Sequence, residues 1–554
     1  MNASPKQPRL VTHQVFNQSP DFSGYNAFSQ DRMLVRICER LPQVVQAELA
    51  ELGQWAGSLD AQEAAKLANL HGPVLKQFDT KGNRIDLVEF HPAWHELMRR
   101  SVGLGMHCSI WQEDRAELGQ RHLARAARYY LTAAVEMGHL CPITMTNACV
   151  AALGASPEIS KQWLPLILSR QYDPSNAAPL SKRQVILGMG MTEKQGGTDV
   201  RANTTRAQKV DAHWWQITGH KWFMSAPQSD AFLVLAQMPE GLGCFLVPRL
   251  LPDSSDNGLR FQRLKDKLGN RSNASSEVEF HQSLAQLIGQ PGKGVQTIIE
   301  MVTLTRLDCA IASAGMMRAA LGEAVHHCRH RSVMGKLLID QPLMRNVLAD
   351  MSVDLAAATV LSFRLAQTFD AAQHDPSQAA YARLMTPVIK YWTCKMVPGF
   401  VYEAMECLGG NGYVEDGNLA RYYREAPLNA IWEGSGNVMC LDILRVLEKN
   451  SQALDQVIES LRSDLADLIS ESALTELLSA IDSAHSDPGT TRAAAERLAI
   501  LAAAAELRRS GWDEVAQALI ATRLHGRWRC TYGMLPSQWV TPVLTAVFGS
   551  AEGS

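Results

Sequence analysis

Seven consecutive residues, Ile431-Trp432-Glu433-Gly434-Ser435-Gly436-Asn437, set one carboxylate between an aromatic side chain and a glycine-broken turn. A carboxylate pressed against apolar surface is poorly hydrated, so its pKa is expected to rise toward neutrality. That suits a base that must take a weakly acidic proton next to a carbonyl. The flanking glycines, Gly434 and Gly436, let the backbone approach a flat ligand. The same stretch also reads as a helix N-terminus capped by Ser435 or Asn437, with Glu433 an ordinary surface charge.

Two other segments could meet such a ligand. Met191-Thr192-Glu193-Lys194-Gln195-Gly196-Gly197-Thr198-Asp199-Val200, preceded by Gly190, offers hydroxyls and backbone N–H groups to a carbonyl-rich ring. A loop capped by Thr or Asp is the alternative. Gly219-His220-Lys221-Trp222-Phe223-Met224-Ser225 places aromatic faces beside a hydroxyl on a strand, or is simply sheet core. No Gly-x-Gly-x-x-Gly follows a strand, and no Walker loop, Gly-x-Ser-x-Gly elbow or His-Glu-x-x-His occurs. No metal site is expected: His326 and His330 lie four apart without carboxylates or cysteines at ligand spacing.

The elements that carry these residues fall into four zones of a 554-residue chain, which is long enough for three or four folding units. Residues 1–185 read as mainly helical after an irregular arm, with three- and four-residue apolar spacing over Arg121–Met137 and Cys141–Leu153. Residues 186–290 turn to short β-branched and aromatic runs (214–223, 231–236, 244–248) punctuated by Gly, Pro, Asp and Ser. Residues 291–448 are helical again, with amphipathic stretches over 296–331 and 341–369. Residues 449–554 continue as helices with a break at Asp487-Pro488-Gly489. The expected fold class is mainly α with a central β domain, plus a C-terminal helical domain.

Composition bounds the function. Hydrophobic residues are 46% and charged residues 20%, ordinary for a globular protein. A net charge of −3 gives the whole chain no bias toward nucleic acid or anionic membrane. No apolar run approaches the roughly 18 residues of a bilayer span, and no membrane partner is expected. The N-terminus lacks a signal-type apolar core. Eleven cysteines, scattered without a Cys-x-x-Cys pair, point to reduced, buried thiols and a cytoplasmic location.

Over roughly residues 60–448 the chain resembles the acyl-CoA dehydrogenase flavoprotein superfamily. Met191–Val200 matches the family's first signature, and Gly219-x-Lys221-x-Phe223-Met224-Ser225 its flavin-wall strand. Lys267-Leu268-Gly269-Asn270-Arg271-Ser272 and Ser276-Glu277-Val278-Glu279-Phe280 look like the following β motif. Arg331-Ser332-Val333-Met334-Gly335-Lys336 is similar to the Arg-x-x-Phe-Gly segment, with methionine in place of phenylalanine. Leu408-Gly409-Gly410-Asn411-Gly412-Tyr413 resembles the glycine motif that approaches a neighbouring subunit's flavin. Ile431–Asn437 fits the last signature. The resemblance implies FAD, α,β-dehydrogenation of a small acyl thioester, and Glu433 as catalytic base. The family's alternative base position, before an arginine, is Thr305 here, and threonine cannot serve. It also implies cofactor contacts by Gly190, Met191, Thr192, Gly197, Thr198, Phe223, Met224, Ser225, Arg331, Gly409, Gly410, Ile431, Trp432, Gly434, Ser435, Gly436 and Asn437, with Arg331 on the flavin's phosphates.

A narrower resemblance, close from about residue 10 to 450, is to the AidB proteins of the bacterial response to DNA alkylation. It is carried by the arm Thr12–Gln18 and by Phe90-His91-Pro92-Ala93-Trp94-His95, Leu140–Thr146, Leu264–Ser275 and Ile431–Leu447. It implies a homotetramer, weak dehydrogenase activity on an uncertain thioester or alkylated substrate, and double-stranded DNA bound by the C-terminal helices. Residues 451–490 are acidic, with Arg462 alone among eight carboxylates, while residues 491–530 carry seven arginines against four acids. Arg508, Arg509, Arg523, Arg527 and Arg529, the last three interleaved with Trp528 and Tyr532, are the candidate DNA contacts. Arginines on a solvated face or a subunit interface are the alternative. Two other functions stay open: an ordinary acyl-CoA dehydrogenase with an assembly domain, or a DNA-shielding protein with a vestigial flavin site.

Overall fold

A computed structural model of the chain describes residues 13–449, 451–524, 535 and 537–549. The zone expected to be mainly helical contains an antiparallel hairpin, β1 (Val74–Phe78) and β2 (Arg84–Glu89). Its turn is tied by the Asp79 carboxylate, which accepts from the N–H groups of Lys81 and Asn83. Gln77 and Arg84 both donate to the Phe261 carbonyl, which lays the hairpin against the central β unit.

That unit comprises β3 (Leu187–Gly190), β4 (Arg206–Lys209), β5 (Trp215–Ser225), β6 (Ala231–Met238), β7 (Gly241–Pro248), β8 (Leu259–Leu264) and β9 (Ser275–Ile288). The strand order is β3-β6-β4-β5-β9-β7; β6 also pairs with β7, closing a ring, and β8 lies on β9. β6 and β7 are buried on nearly every residue, so they read as unbroken apolar runs rather than alternation. Trp215, Met224, Phe232, Phe245, Phe261 and Phe280 fill the barrel.

The helices that position the candidate site are α1 (Arg32–Cys38), α2 (Arg121–Val135), α3 (Leu140–Leu153), α4 (Gly294–His330), α5 (Pro342–Ala371), α6 (Pro376–Leu408) and α7 (Gly436–Lys449). α5 is apolar enough to cross a bilayer, but 89% of its apolar window is buried within the protein, which marks a core helix. α2, α3 and α4 lock around Asp308, which accepts both Nη atoms of Arg125 at 2.6 and 2.7 Å and the Thr144 hydroxyl. Removing either member would strand a buried charge. The N-terminus of α2 is capped from α5: the N–H groups of His122 and Leu123 donate to Asp370.

Beyond α7 follow α8 (Ser451–Asp464), α9 (Glu471–Ser486), α10 (Thr491–Arg509), α11 (Asp513–Leu519) and α12 (Ser537–Phe548). The break after α9 falls at Asp487, whose carboxylate accepts from Gly489 N–H. Leu498 and Leu501 of α10 belong to the same apolar cluster as α5 and α6, so these helices share the core of the bundle.

Candidate active site

Glu433 stands in the short link before α7 with φ +56°, and Gly434 follows at φ +98°. A side-chain-bearing residue in the left-handed region costs about 1–2 kcal/mol. The surroundings hold it there. Lys390 of α6, itself buried, donates to the carbonyls of Trp432 at 2.9 Å and Gly434 at 2.5 Å, on either side of Glu433. Arg306 Nε donates to the Glu433 carbonyl at 3.3 Å, while its Nη1 meets Asp442 of α7 at 2.6 Å. Trp432 Nε1 donates to Asn429, whose amide donates to Ser313 of α4. The Thr305 hydroxyl donates to Glu433 Oε2 at 2.5 Å. No hydrogen bond among the described residues engages Oε1.

Trp432 and Met189 of β3 both pack against a small cluster made of Cys141 and Met145 of α3 and Ala226 after β5. The carboxylate loop, α3 and the ends of two strands therefore converge. Burial pushes the Cys141 thiol up to about 11. At the end of β5 the Phe223 ring is 53% exposed, and Ser225 pairs in register with Ser275, their hydroxyls 3.1 Å apart. Met224 does not share that face: its side chain is fully buried inside the barrel, so only its backbone is left to meet a cofactor. Lys221 is turned inward too, onto Glu193 at 2.8 Å with both side chains fully buried. Burial alone would raise the Glu193 carboxyl, but Lys221 and the Thr204 and Thr205 donors hold it well below the usual range. This pair anchors the Met191–Val200 loop to β5. Within it, a Cβ on Gly197 would come within 2.3 Å of Thr192 Oγ1, and one on Gly190 within 3.0 Å of Lys221. Met191 and Thr192 are half-buried and Thr198 is exposed.

Several groups at this wall escaped the sequence reading. Lys267 Nζ donates to the Asn273 carbonyl at 2.6 Å and to Ser275 Oγ at 3.1 Å, and burial lowers its pKa to about 8. Both polar atoms of the buried Asn273 side chain lack a partner among the described residues. The loop is pinned by Glu136, which accepts from Ser272, Asn69 and His139. Lys267, Ser272, Asn273 and Ser275 lay within segments matched to the family, but no role at the site was assigned to them.

Arg331 donates to the Asn17 carbonyl at 2.6 Å, and Asn17 brackets Ser332 with both side-chain atoms. Asn411, beside Gly409 and Gly410, donates to Gln18 at 3.3 Å. The N-terminal arm thus bridges the Arg331 and glycine motifs. Gly409 has φ +59°, and a Cβ at Gly409 or Gly410 would meet nothing within 4 Å. Ile431 and Ser435 are exposed, and Gly436 lies under the Tyr391 ring. Asn437 is already engaged: its Oδ1 accepts from Arg492 of α10 at 2.6 and 3.0 Å, so its side chain fastens the C-terminal helices to α7.

The arginines expected to meet DNA are largely committed. Arg523 is 4% exposed and pairs with Asp350 at 2.5 Å and Asp354 at 3.0 Å on α5, which removes it from the surface patch. Arg508 pairs with Asp467 and Asp513, and Arg509 with Asp464 and Glu506. Arg527 and Arg529 lie outside the described residues.

Phe223, Ser225, the unpartnered Asn273 amide and the Glu433 loop offer a flat apolar face with hydrogen-bonding groups at its edge, which fits an isoalloxazine ring. Three family models match the chain: "Adaptive response protein AidB N-terminal domain" over residues 17–174, "Acyl-CoA dehydrogenase, middle domain" over 188–283, and "Acyl-CoA dehydrogenase, C-terminal domain" over 292–448. The AidB protein of Escherichia coli (strain K12) is 48% identical over 451 residues, 81% of this chain and 83% of its own length. Acyl-CoA dehydrogenase family member 11 of Caenorhabditis elegans is 32% identical over 452 residues, 78% and 72% of the two chains. The crystal structure of Caenorhabditis elegans ACDH-11 with C11-CoA superposes with a TM-score of 0.83 at 26% identity, covering 100% of this chain and 99% of that one. The chain belongs to the AidB branch of the acyl-CoA dehydrogenase superfamily and is an FAD-dependent oxidoreductase of the acyl-CoA dehydrogenase type.

Proposed function

We propose that the protein dehydrogenates an acyl thioester between Cα and Cβ, with Glu433 as the base, and that it serves the response to DNA alkylation while attached to double-stranded DNA by its C-terminal helices. The observation that carries the first part is the Glu433 carboxylate, oriented by Thr305, on a loop clamped by Lys390 and packed through Trp432 against the residue that follows the Phe223–Ser225 end of β5. Oε1 receives the α proton, Thr305 keeps Oε2 fixed, and Trp432 with its apolar neighbours excludes water. Phe223, Ser225 and the Met191–Thr198 loop would hold the isoalloxazine ring and Arg331 the phosphates, while Gly409 and Gly410 would approach the flavin of a neighbouring subunit. Bound FAD supplies the acceptor for the β hydride. The C11-CoA in ACDH-11 supports the thioester class. The activity is proposed to be weak, by resemblance. Anaerobic titration with acyl-CoA thioesters tests the reading: bleaching of the flavin absorbance supports it, and no bleaching across chain lengths removes it.

The DNA attachment rests on the AidB relationship. With Arg508, Arg509 and Arg523 already paired to acids, Arg527 and Arg529 are the proposed contacts. A homotetramer is also proposed. Met334, Leu343 and Tyr413 expose 81–97% of their surface beside the Arg331 and glycine motifs, the placement a neighbouring subunit would cover. One observation favours a second reading, a dehydrogenase whose extra helices serve assembly. The ACDH-11 structure covers the whole of this chain, C-terminal helices included, with a thioester bound. Salt-resolved duplex titration of the full chain separates the two.

A further inference from the structure

A cavity of about 410 Å³ opens where α1, α5 and α10 meet, lined by none of the residues assigned to the flavin. Its size lies within the range of small-ligand sites. Four guanidinium groups line it, Arg36, Arg40, Arg364 and Arg509, against two carboxylates, Glu39 and Glu506. Arg509 also pairs with Asp464 behind the wall, so one positive charge is in excess. Glu506 sits between two of the cations, 3.1 Å from Arg509 and 3.8 Å from Arg364. Arg36 and Arg40 have neither an ion pair nor a side-chain hydrogen bond among the described residues; Arg36 only lies 5.8 Å from the Trp512 ring.

Like charges four residues apart repel, and the C-terminal dipole of α1 offsets that repulsion only in part. Arg364 adds a second observation. Its plane is fixed by the Tyr381 ring at 4.9 Å and by Gln378 at 2.9 Å, while its buried Nε faces Glu506 at 3.8 Å. A guanidinium held in a fixed plane at a cavity wall suits a planar or tetrahedral oxyanion through its Nη groups. The floor is apolar, formed by Ile37, Val360 and Phe363.

We propose that this cavity binds the phosphate monoester group of a small phosphorylated ligand, with Arg36, Arg40 and Arg364 as donors and the apolar floor seating the uncharged part. A ligand there touches α1, α5 and α10 together, so it fastens the C-terminal helices to the core. The site is independent of the dehydrogenase reading.

The test uses full-length, flavin-saturated protein, calorimetric titration and thermal melts, with inorganic phosphate, a nucleoside monophosphate, the matching nucleoside and duplex DNA as probes. Phosphate and the monophosphate should bind saturably and raise Tm, and the nucleoside should not. Arg36→Gln with Arg40→Gln should weaken binding by about tenfold or more, and Ser510→Glu, which puts a carboxylate into the cavity, should abolish it. Both variants should keep the wild-type Tm without ligand. Absence of competition by duplex DNA supports the small-ligand assignment; competition by duplex DNA would assign the cavity to a phosphodiester backbone and overturn it. No saturable binding, or binding that both variants leave unchanged, overturns it.

Discussion

The Thr305 hydroxyl and the Glu433 carboxylate, 128 residues apart in the chain, meet at 2.5 Å. These are the two positions at which the family resemblance puts the base, so one carboxylate can reach the same reacting atom from either. Thr305 also lies 2.9 Å from the Val302 carbonyl, an alternative acceptor for its single hydrogen. Thr305→Val keeps the shape and removes the donor. The expected result is about a tenfold slower thioester-driven flavin reduction, the equivalent of one hydrogen bond of about 1.4 kcal/mol, with little change in KM. Stopped-flow kinetics decide it; an unchanged rate removes Thr305 from the positioning of the base.

Lys390 secures the loop that carries Glu433 by two carbonyls. Lys390→Met should leave both without their donor, at about 1–3 kcal/mol each. The outcome expected is a lower Tm and a loss of flavin reduction larger than the loss of FAD binding. A variant with wild-type Tm and reduction rate would show that the loop holds itself.

Stability should depend on pH through Glu136. Burial raises its carboxyl, but hydrogen bonds led by His139 outweigh burial and hold it at about 2, against an ordinary 4.5. A carboxyl lowered on folding contributes stability that is complete above pH 4.5 and lost as pH falls toward 2, here roughly 3 kcal/mol. Asp370 acts in the opposite sense. Burial raises it to about 6, so its contribution is complete below 3.8 and lost as pH rises through 6. Thermal melts across the acid range should show a flatter acid limb for Glu136→Gln. Parallel curves would contradict the assignment.

The C-terminal arginines should divide by role. Arg523→Ala takes a guanidinium from between Asp350 and Asp354 and should cost about 3–5 kcal/mol of stability. Duplex binding by whatever stays folded should keep its salt slope. Arg527→Ala with Arg529→Ala should flatten the slope with little change in Tm. The reverse pattern would mean that Arg523 faces DNA.

The order of helix, barrel and helix was legible because its signals are local. The aromatic run at 214–223 became β5, and the three- and four-residue spacings became α2, α3, α4 and α5. The β1–β2 hairpin was missed because its strands are short and half-exposed, so neither carries an unbroken apolar run. Of the site, Glu433 and Phe223 were visible as motif positions. Lys390 was not, and Thr305 was read only as an alternative base position that threonine cannot fill, because their roles arise only when α4 and α6 pack against the loop. Arg523 misled for the same reason: its partners precede it by 173 and 169 residues, and an arginine among arginines gives no sign of a buried aspartate.

One carboxylate, that of Glu433, is expected to face the reactive edge of a bound flavin. Anaerobic addition of a reactive acyl-CoA thioester to wild-type protein and to Glu433→Gln, followed by the flavin spectrum, tests it most directly. Equal FAD content is expected in both, with bleaching of the wild type and none in the variant. Bleaching at the wild-type rate in Glu433→Gln would contradict it.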